Sequence, residues 1–168
     1  MKTSITFLSL ILLCISCAQT KNQKQEKLTA TEQSSVDKKA SVASQIARLK
    51  ADGFQIFDYV DEKTGDTVIM QQYFMAFLKS GPNRDQSEEE AAKLQEAHMA
   101  HLGRMYEEGY ADISGPFDDD GELRGITIYN VPTLKMADSL AHLDPMMKAG
   151  RLVVEIKPWW AGKGYPLR

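Results

Sequence analysis

The segment from Tyr73 to Leu78 is apolar at every position, and this restricts the folds available to the chain more than any other feature. Alternate side chains of a β-strand point to opposite faces of the sheet. One face would therefore carry Tyr73, Met75 and Phe77, and the other face would carry Phe74, Ala76 and Leu78. A strand that is apolar on both faces must be covered on both. We therefore expect an internal strand with helices on one face and a further layer on the other.

A helix is predicted between Ser87 and Gly109. Ser87 and Glu90 have the spacing of a capping box, in which each side chain satisfies a free backbone N–H group, and Gly109 provides a stop signal. At about 100° per residue, one face of this helix carries an apolar stripe with a histidine at its centre. The stripe consists of Ala91, Leu94, His98, Leu102 and Met105. His98 should therefore face whatever the helix packs against, so it is a candidate buried or cleft-lining imidazole.

The remaining hydrophobic patterns predict a βαββαβ order in an α+β domain. A short helix over 42–50 and a hairpin over 54–69 should precede strands at 111–114, 123–130 and 152–156. Thr133 is a predicted N-cap of the second helix, Asp144 before Pro145 is a predicted N-cap of a short turn, and Pro158 is expected to close the last strand. Two interleaved βαβ units give an antiparallel ferredoxin-like sheet with both helices on one face. A second copy of the chain could cover the bare face, so we expect a homodimer.

The amino terminus has the pattern of a signal peptide. One cation, Lys2, precedes an apolar run that is shorter than the roughly 20 residues needed to span a membrane. The run ends in a segment that resembles the lipobox of bacterial lipoproteins, with Cys17 as the lipidated residue. We therefore expect a protein of the cell envelope, anchored in the membrane through its lipid on the periplasmic or surface face. An ordinary secreted protein cleaved near Ser16 is the alternative.

The composition after Cys17 separates a linker from a domain. Residues 18–42 have almost nothing to bury, which indicates a flexible linker. Residues 43–71 form the helix and hairpin extension, 72–160 the main domain and 161–168 a tail. The formal net charge is −3, and no basic run with interleaved aromatic residues is present. Nucleic acid is therefore not expected as a partner.

Several short motifs resemble the YCII-related proteins, in the right order and on the right predicted elements. They are Gly81-Pro82-Asn83-Arg84, residues 97–102, the Glu108-Gly109 helix end, Ser114-Gly115-Pro116-Phe117, Leu143-Asp144-Pro145 with Ala149-Gly150, and Lys157-Pro158-Trp159-Trp160. The resemblance implies a dimeric α+β barrel of ferredoxin-like protomers with a pocket between helices and sheet. It also implies a paired histidine and aspartate, which correspond to His98 and Asp144.

Two functions are compatible with these residues. In the first, the protein binds a small cyclic or aromatic molecule, and His98 acts as a general acid and base oriented by Asp144. Isomerisation, elimination and dehalogenation could all use this pair, with no cofactor. The candidate ligand-binding residues are Tyr73, His101, Ser114, Gly115, Pro116 and Phe117. In the second, the protein is a non-catalytic binding or assembly module of the envelope, and His98 is a core residue bonded to a backbone carbonyl.

A metal site is a further alternative for the histidines. His98, His101 and His142 could form a zinc-binding set, but no acid or cysteine stands at a recognised ligand spacing. Our prediction is therefore that the site holds no metal.

Overall fold

The computed structural model describes residues 37–167. The predicted signal peptide, Cys17 and residues 18–36 of the predicted linker lie outside the described residues. Helix α1 covers 37–51 of the described residues, so it includes at least the five residues that precede the predicted start at Val42. Residues 37–41, which we assigned to the linker, are helical, and Lys38, Lys39 and Ala40 among them are good helix formers.

The other elements follow the predicted order. The strands are β1 (Ile56–Val60), β2 (Thr67–Ser80), β3 (Ala111–Pro116), β4 (Leu123–Tyr129) and β5 (Leu152–Gly162), and the helices are α2 (Glu88–Glu107), α3 (Leu134–Ala141) and α4 (Pro145–Lys148). The caps that set the helix boundaries are the predicted ones. Ser87 and Glu90 form both bonds of the capping box, and Thr133 accepts a hydrogen bond from the backbone N–H of Met136. No helix within 37–167 has both the length and the apolar character needed to cross a bilayer.

Strand β2 is the centre of a five-stranded antiparallel sheet. Strand β5 pairs along one edge of β2 from Met70 to Ser80, while β1 and β4 share the opposite edge. Strand β3 pairs with β4 at the outside. Without the β1 extension, the order β5-β2-β4-β3 is that of a ferredoxin-like βαββαβ fold. The described residues thus form an α+β fold of the ferredoxin-like type, as predicted.

A single chain covers one face of β2 more completely than the other face. Phe74 and Ala76 are buried in a core that also contains Met105 of α2, together with Ala137 and Ala141 of α3. On the other face, Met75 and Phe77 are only partly buried. This second face is the one that our homodimer prediction assigns to another copy of the chain.

Strand β5 is longer than predicted. Pro158 was expected to close the strand, but the strand continues to Gly162, with Pro158 opposite Phe74. The physical reason is that β5 pairs only with β2 among the described strands. On such an edge strand, half of the backbone N–H groups point away from the sheet, so proline is tolerated without loss of a ladder hydrogen bond.

Candidate active site

Two helix features bring the predicted histidine and aspartate together. His98 lies in the middle of α2, on the face that contains the buried residues His101 and Met105. Asp144 is the N-cap of α4, and Pro145 occupies the first helical turn. Because α4 packs against α2, the cap residue of the short helix meets the apolar stripe of the long one.

His98 and Asp144 form a close, buried pair. The His98 Nδ1 atom lies 2.6 Å from Asp144 Oδ2, and the two residues are only 8% and 2% exposed. The second oxygen, Oδ1, accepts the backbone N–H of Met146 at 2.8 Å. A carboxylate can only accept hydrogen bonds, so the proton lies on Nδ1 and the Nε2 atom of neutral His98 is left as a base. Asp144 therefore fixes both the ring orientation and its tautomer.

His98 also lines a cavity of about 400 Å³ at one end of the sheet. This end is formed by the end of β2, the start of β5 and the turn between β3 and β4. Apolar side chains from β2, α2, α4 and β5 provide most of the wall. The charged or polar side chains at the wall are Arg84, Gln95, His98, Ser114, Arg124 and Arg151. Asp144 is not part of the wall. Its bond to Nδ1 leaves Nε2 as the ring nitrogen with no hydrogen-bond partner among the described residues.

Three of the predicted ligand-binding residues are at this cavity. Ser114, Gly115 and Pro116 line it at the end of β3. The Ser114 hydroxyl lies 2.9 Å from that of Thr127, a buried residue of β4. This bond fixes the Ser114 side chain on the helix-covered face of the sheet.

The other three lie outside the cavity. Tyr73 is on the opposite face of β2 from the cavity residue Leu78, because five positions along a strand reverse the face. There its ring is 6.3 Å from that of Trp159, and burial, reinforced by Asp112, raises its pKa to about 12. Phe117 follows the last residue of β3, and its side chain is 40% exposed.

His101 is buried one turn beyond His98 but does not reach the cavity. Its Nδ1 atom lies 3.2 Å from a guanidinium nitrogen of Arg104, which can only donate, so the His101 proton is on Nε2. That Nε2 atom has no hydrogen-bond partner in the described part of the chain. Burial lowers the pKa of His101, although the nearby Asp144 carboxylate opposes this effect.

The structure does not bring the third histidine to the other two as a metal site. His142 is the C-cap of α3, with an exposed side chain whose Nδ1 lies 2.9 Å from the Asp138 carbonyl oxygen. Within residues 37–167, no three histidine, cysteine, aspartate or glutamate side chains are grouped closely enough to hold a metal ion.

Four polar side chains at the cavity were not predicted from the sequence. Gln95 precedes His98 by one helical turn, so the helical wheel could have identified it. Arg84, Arg124 and Arg151 lie outside regular elements or near their ends, and hydrophobic periodicity gives no signal there. Their common location becomes visible only when the strand order is known.

Comparisons with known proteins identify a family for the main domain. Residues 74–160, just over half of the chain, match the YCII-related domain. A solved structure of 5-chloro-2-hydroxyhydroquinone dehydrochlorinase (TftG) from Burkholderia phenoliruptrix AC1100, in complex with 2,5-dihydroxybenzoquinone, is 20% identical. The alignment covers 52% of this chain and 92% of the TftG chain, with a TM-score of 0.41. A comparison with curated proteins returned no match. On the family match, the chain belongs to the YCII-related domain family.

Proposed function

We propose that the protein binds a small cyclic or aromatic molecule in the cavity at the end of the sheet and transfers a proton on it. His98 is the general acid and base, and Asp144 orients it. One observation carries this proposal: a buried 2.6 Å bond to a carboxylate fixes the tautomer of an imidazole that lines a cavity of about 400 Å³. A cavity of that size suits a single small ring compound.

The residues support a simple sequence of proton movements. The Nε2 atom of His98 takes a proton from a substrate carbon, and the electron pair of that C–H bond moves into the adjoining double-bond system. Asp144 stabilises the imidazolium that forms. In an isomerisation, the imidazolium returns the proton to another substrate atom. In an elimination or dehalogenation, the leaving group departs with its bonding electrons and the proton passes to solvent.

Hydrogen exchange on candidate substrates tests this proposal without knowledge of the product. Ring compounds with an acidic C–H group would be incubated with the protein in D₂O, and deuterium incorporation would be followed by NMR. We expect His98→Gln to lower the exchange rate about 10²- to 10⁴-fold, the usual range for a positioned general base. The matched control is His142→Gln, because His142 is an exposed histidine away from the cavity.

A non-catalytic binding module is the second candidate function. The observation that favours it is that Asp144 caps α4, so a structural role alone is enough to explain this aspartate. Binding of ring compounds without any exchange catalysed by the wild type would support this candidate. Equal exchange rates in wild type and His98→Gln would contradict the catalytic proposal.

We also propose that the chain is anchored to the cell envelope through a lipid on Cys17, a proposal supported by the sequence alone. We expect the wild-type protein to partition with membranes or detergent and Cys17→Ser to lose the lipid. Labelling with a radioactive or clickable fatty acid measures this directly. Equal labelling of the two proteins would contradict it.

A further inference from the structure

All of the permanently charged side chains that line the cavity are cationic. They are Arg84, Arg124 and Arg151, and no aspartate or glutamate lines the wall. This is the opposite of the chain as a whole, which has 23 acidic and 20 basic residues. An excess of one charge sign in a concave, partly apolar site raises the local concentration of ligands of the opposite sign.

The three guanidinium groups keep hydrogen-bonding capacity for a ligand. Arg151 donates through Nη1 to Gln86 at 2.8 Å, and Arg124 donates through Nη1 to two loop carbonyl oxygens at 3.1 Å. Arg84 forms no hydrogen bond or ion pair with any residue in 37–167. Each guanidinium has five N–H donors, so most donors remain available. Within the described residues, none of the three is paired with a carboxylate, so their charge is uncompensated.

The backbones of Arg84 and Arg151 are held next to each other by a tight loop contact. Gly81 donates its N–H to the Arg151 carbonyl at 2.9 Å, and Asn83 donates its N–H to the Gly150 carbonyl at 3.1 Å. A Cβ atom on Gly81 would lie 2.2 Å from the Gly150 carbonyl oxygen, so the loops approach as closely as glycine allows. The backbones of Arg84 and Arg151 therefore lie at one close contact between two loops, beside the cavity that His98 lines.

We propose that the ligand of this cavity is an organic anion, with a carboxylate or phenolate group bound by Arg84 and Arg151 and an apolar ring packed in the cavity. Guanidinium groups bind planar oxyanions with paired, charge-assisted hydrogen bonds. The apolar wall, which includes Leu78, Leu102 and Met146, suits the ring. This inference deepens the proposed function and rests on it for the identity of the site.

The same arrangement would assist proton removal by His98. When the Nε2 atom takes a proton from a carbon next to the anionic group, negative charge develops on the substrate. Positive charges next to the developing negative charge stabilise such a transition state. The arginines would thus serve both substrate selection and the reaction step.

Binding of matched anionic and neutral probes tests the inference. Dissociation constants would be measured by ligand-observed NMR for benzoate against benzamide, and for 4-nitrophenolate against nitrobenzene. We expect the anion with the lower dissociation constant to bind at least about 10-fold more tightly than its neutral partner, since hydrogen bonds to charged groups are stronger than those between neutral groups. We expect Arg84→Gln and Arg151→Gln each to weaken the binding of that anion about 10- to 100-fold. Preference for benzoate identifies a carboxylate site, and preference for 4-nitrophenolate identifies a phenolate site.

The matched control is Arg48→Gln, which removes the same charge from an exposed position on α1 that does not line the cavity. It should leave both affinities unchanged, and added salt should weaken only the binding of the anion. Equal affinities for anionic and neutral probes, no binding of either anion at millimolar concentration, or unchanged affinity in both cavity variants would overturn the inference.

The binding experiment tests the anion site whether or not His98 transfers a proton. Arginine-dependent binding of an anion without deuterium exchange supports the anion site and contradicts catalysis by His98. Deuterium exchange on neutral ring compounds, with no effect of the arginine variants, supports catalysis and contradicts the anion site.

Discussion

Replacing Asp144 by asparagine tests how the carboxylate controls the imidazole, and it needs no knowledge of the substrate. Asp144 uses Oδ1 to accept the backbone N–H of Met146 and Oδ2 to accept the Nδ1 proton of His98. Asparagine has only one oxygen. If that oxygen keeps the cap, the amide nitrogen faces Nδ1 and can only donate. We therefore expect the His98 proton to move from Nδ1 to Nε2 in this variant.

The structure also predicts how stability responds. Asparagine and aspartate are about equal as N-caps, so Asp144→Asn should change the free energy of unfolding by no more than about 1 kcal/mol. Asp144→Ala loses the cap, which costs about 0.5–2 kcal/mol, and leaves the buried Nδ1–H group unpaired, which costs about 1–3 kcal/mol more. Alanine should therefore destabilise the protein by about 3 kcal/mol.

Two measurements check these expectations. Imidazole ¹⁵N chemical shifts report which ring nitrogen of His98 carries the proton, and urea unfolding gives the stability difference. The control pair is Asp138 and His142, whose side chains are 3.4 Å apart and more than half exposed. Asp138→Ala should cost less than about 1 kcal/mol, because exposed ion pairs contribute little. An unprotonated Nε2 in Asp144→Asn, or equal destabilisation by asparagine and alanine, would refute this account of Asp144.

Two further predictions concern folding stability. Gly81→Ala should destabilise the protein by about 1–3 kcal/mol, because the new Cβ would meet the Gly150 carbonyl oxygen at 2.2 Å. Gly103→Ala on α2 should instead stabilise it by about 0.5–1 kcal/mol, because the added Cβ would have no described heavy atom within 4 Å apart from its chain neighbours and the α2 backbone. Thermal unfolding of both variants measures these changes in stability, and equal shifts in Tm would contradict the prediction. Burial lowers the pKa of His101, so the unfolded chain takes up the proton more readily. Stability should therefore fall as pH decreases below about 6.5, and His101→Gln should remove part of this dependence; an identical pH profile would argue against it.

The sequence predicted the fold well because its signals are local. The alternation of apolar residues in β2 assigned Phe74 and Ala76 to one face and Met75 and Phe77 to the other, which is how the sheet places them. The capping box at Ser87 set the start of α2 correctly. The predicted strand end at Pro158 was wrong. Proline is tolerated in a strand at the edge of a sheet, and the local sequence does not show which strand lies at the edge.

The candidate site was only partly predictable. The helical wheel placed His98 on the inner face of α2, and the family resemblance paired it with Asp144, which the structure brings to 2.6 Å. Tyr73 was considered as a cavity residue, but both faces of its strand are apolar, so alternation could not show which face the helices and the cavity occupy. Arg84 and Arg151 are 67 positions apart in the chain, and only the contact between their loops makes them neighbours.

Asp144 joins the local folding of α4 to the electronic state of His98. A helix of four residues is too short to persist on its own, so α4 depends on its cap and on packing against α2. Each transient opening of this turn would release the carboxylate and leave the imidazole free to rotate or to exchange tautomers. The protection of the Met146 amide against solvent exchange therefore reports how large a fraction of molecules holds the ring ready to accept a proton.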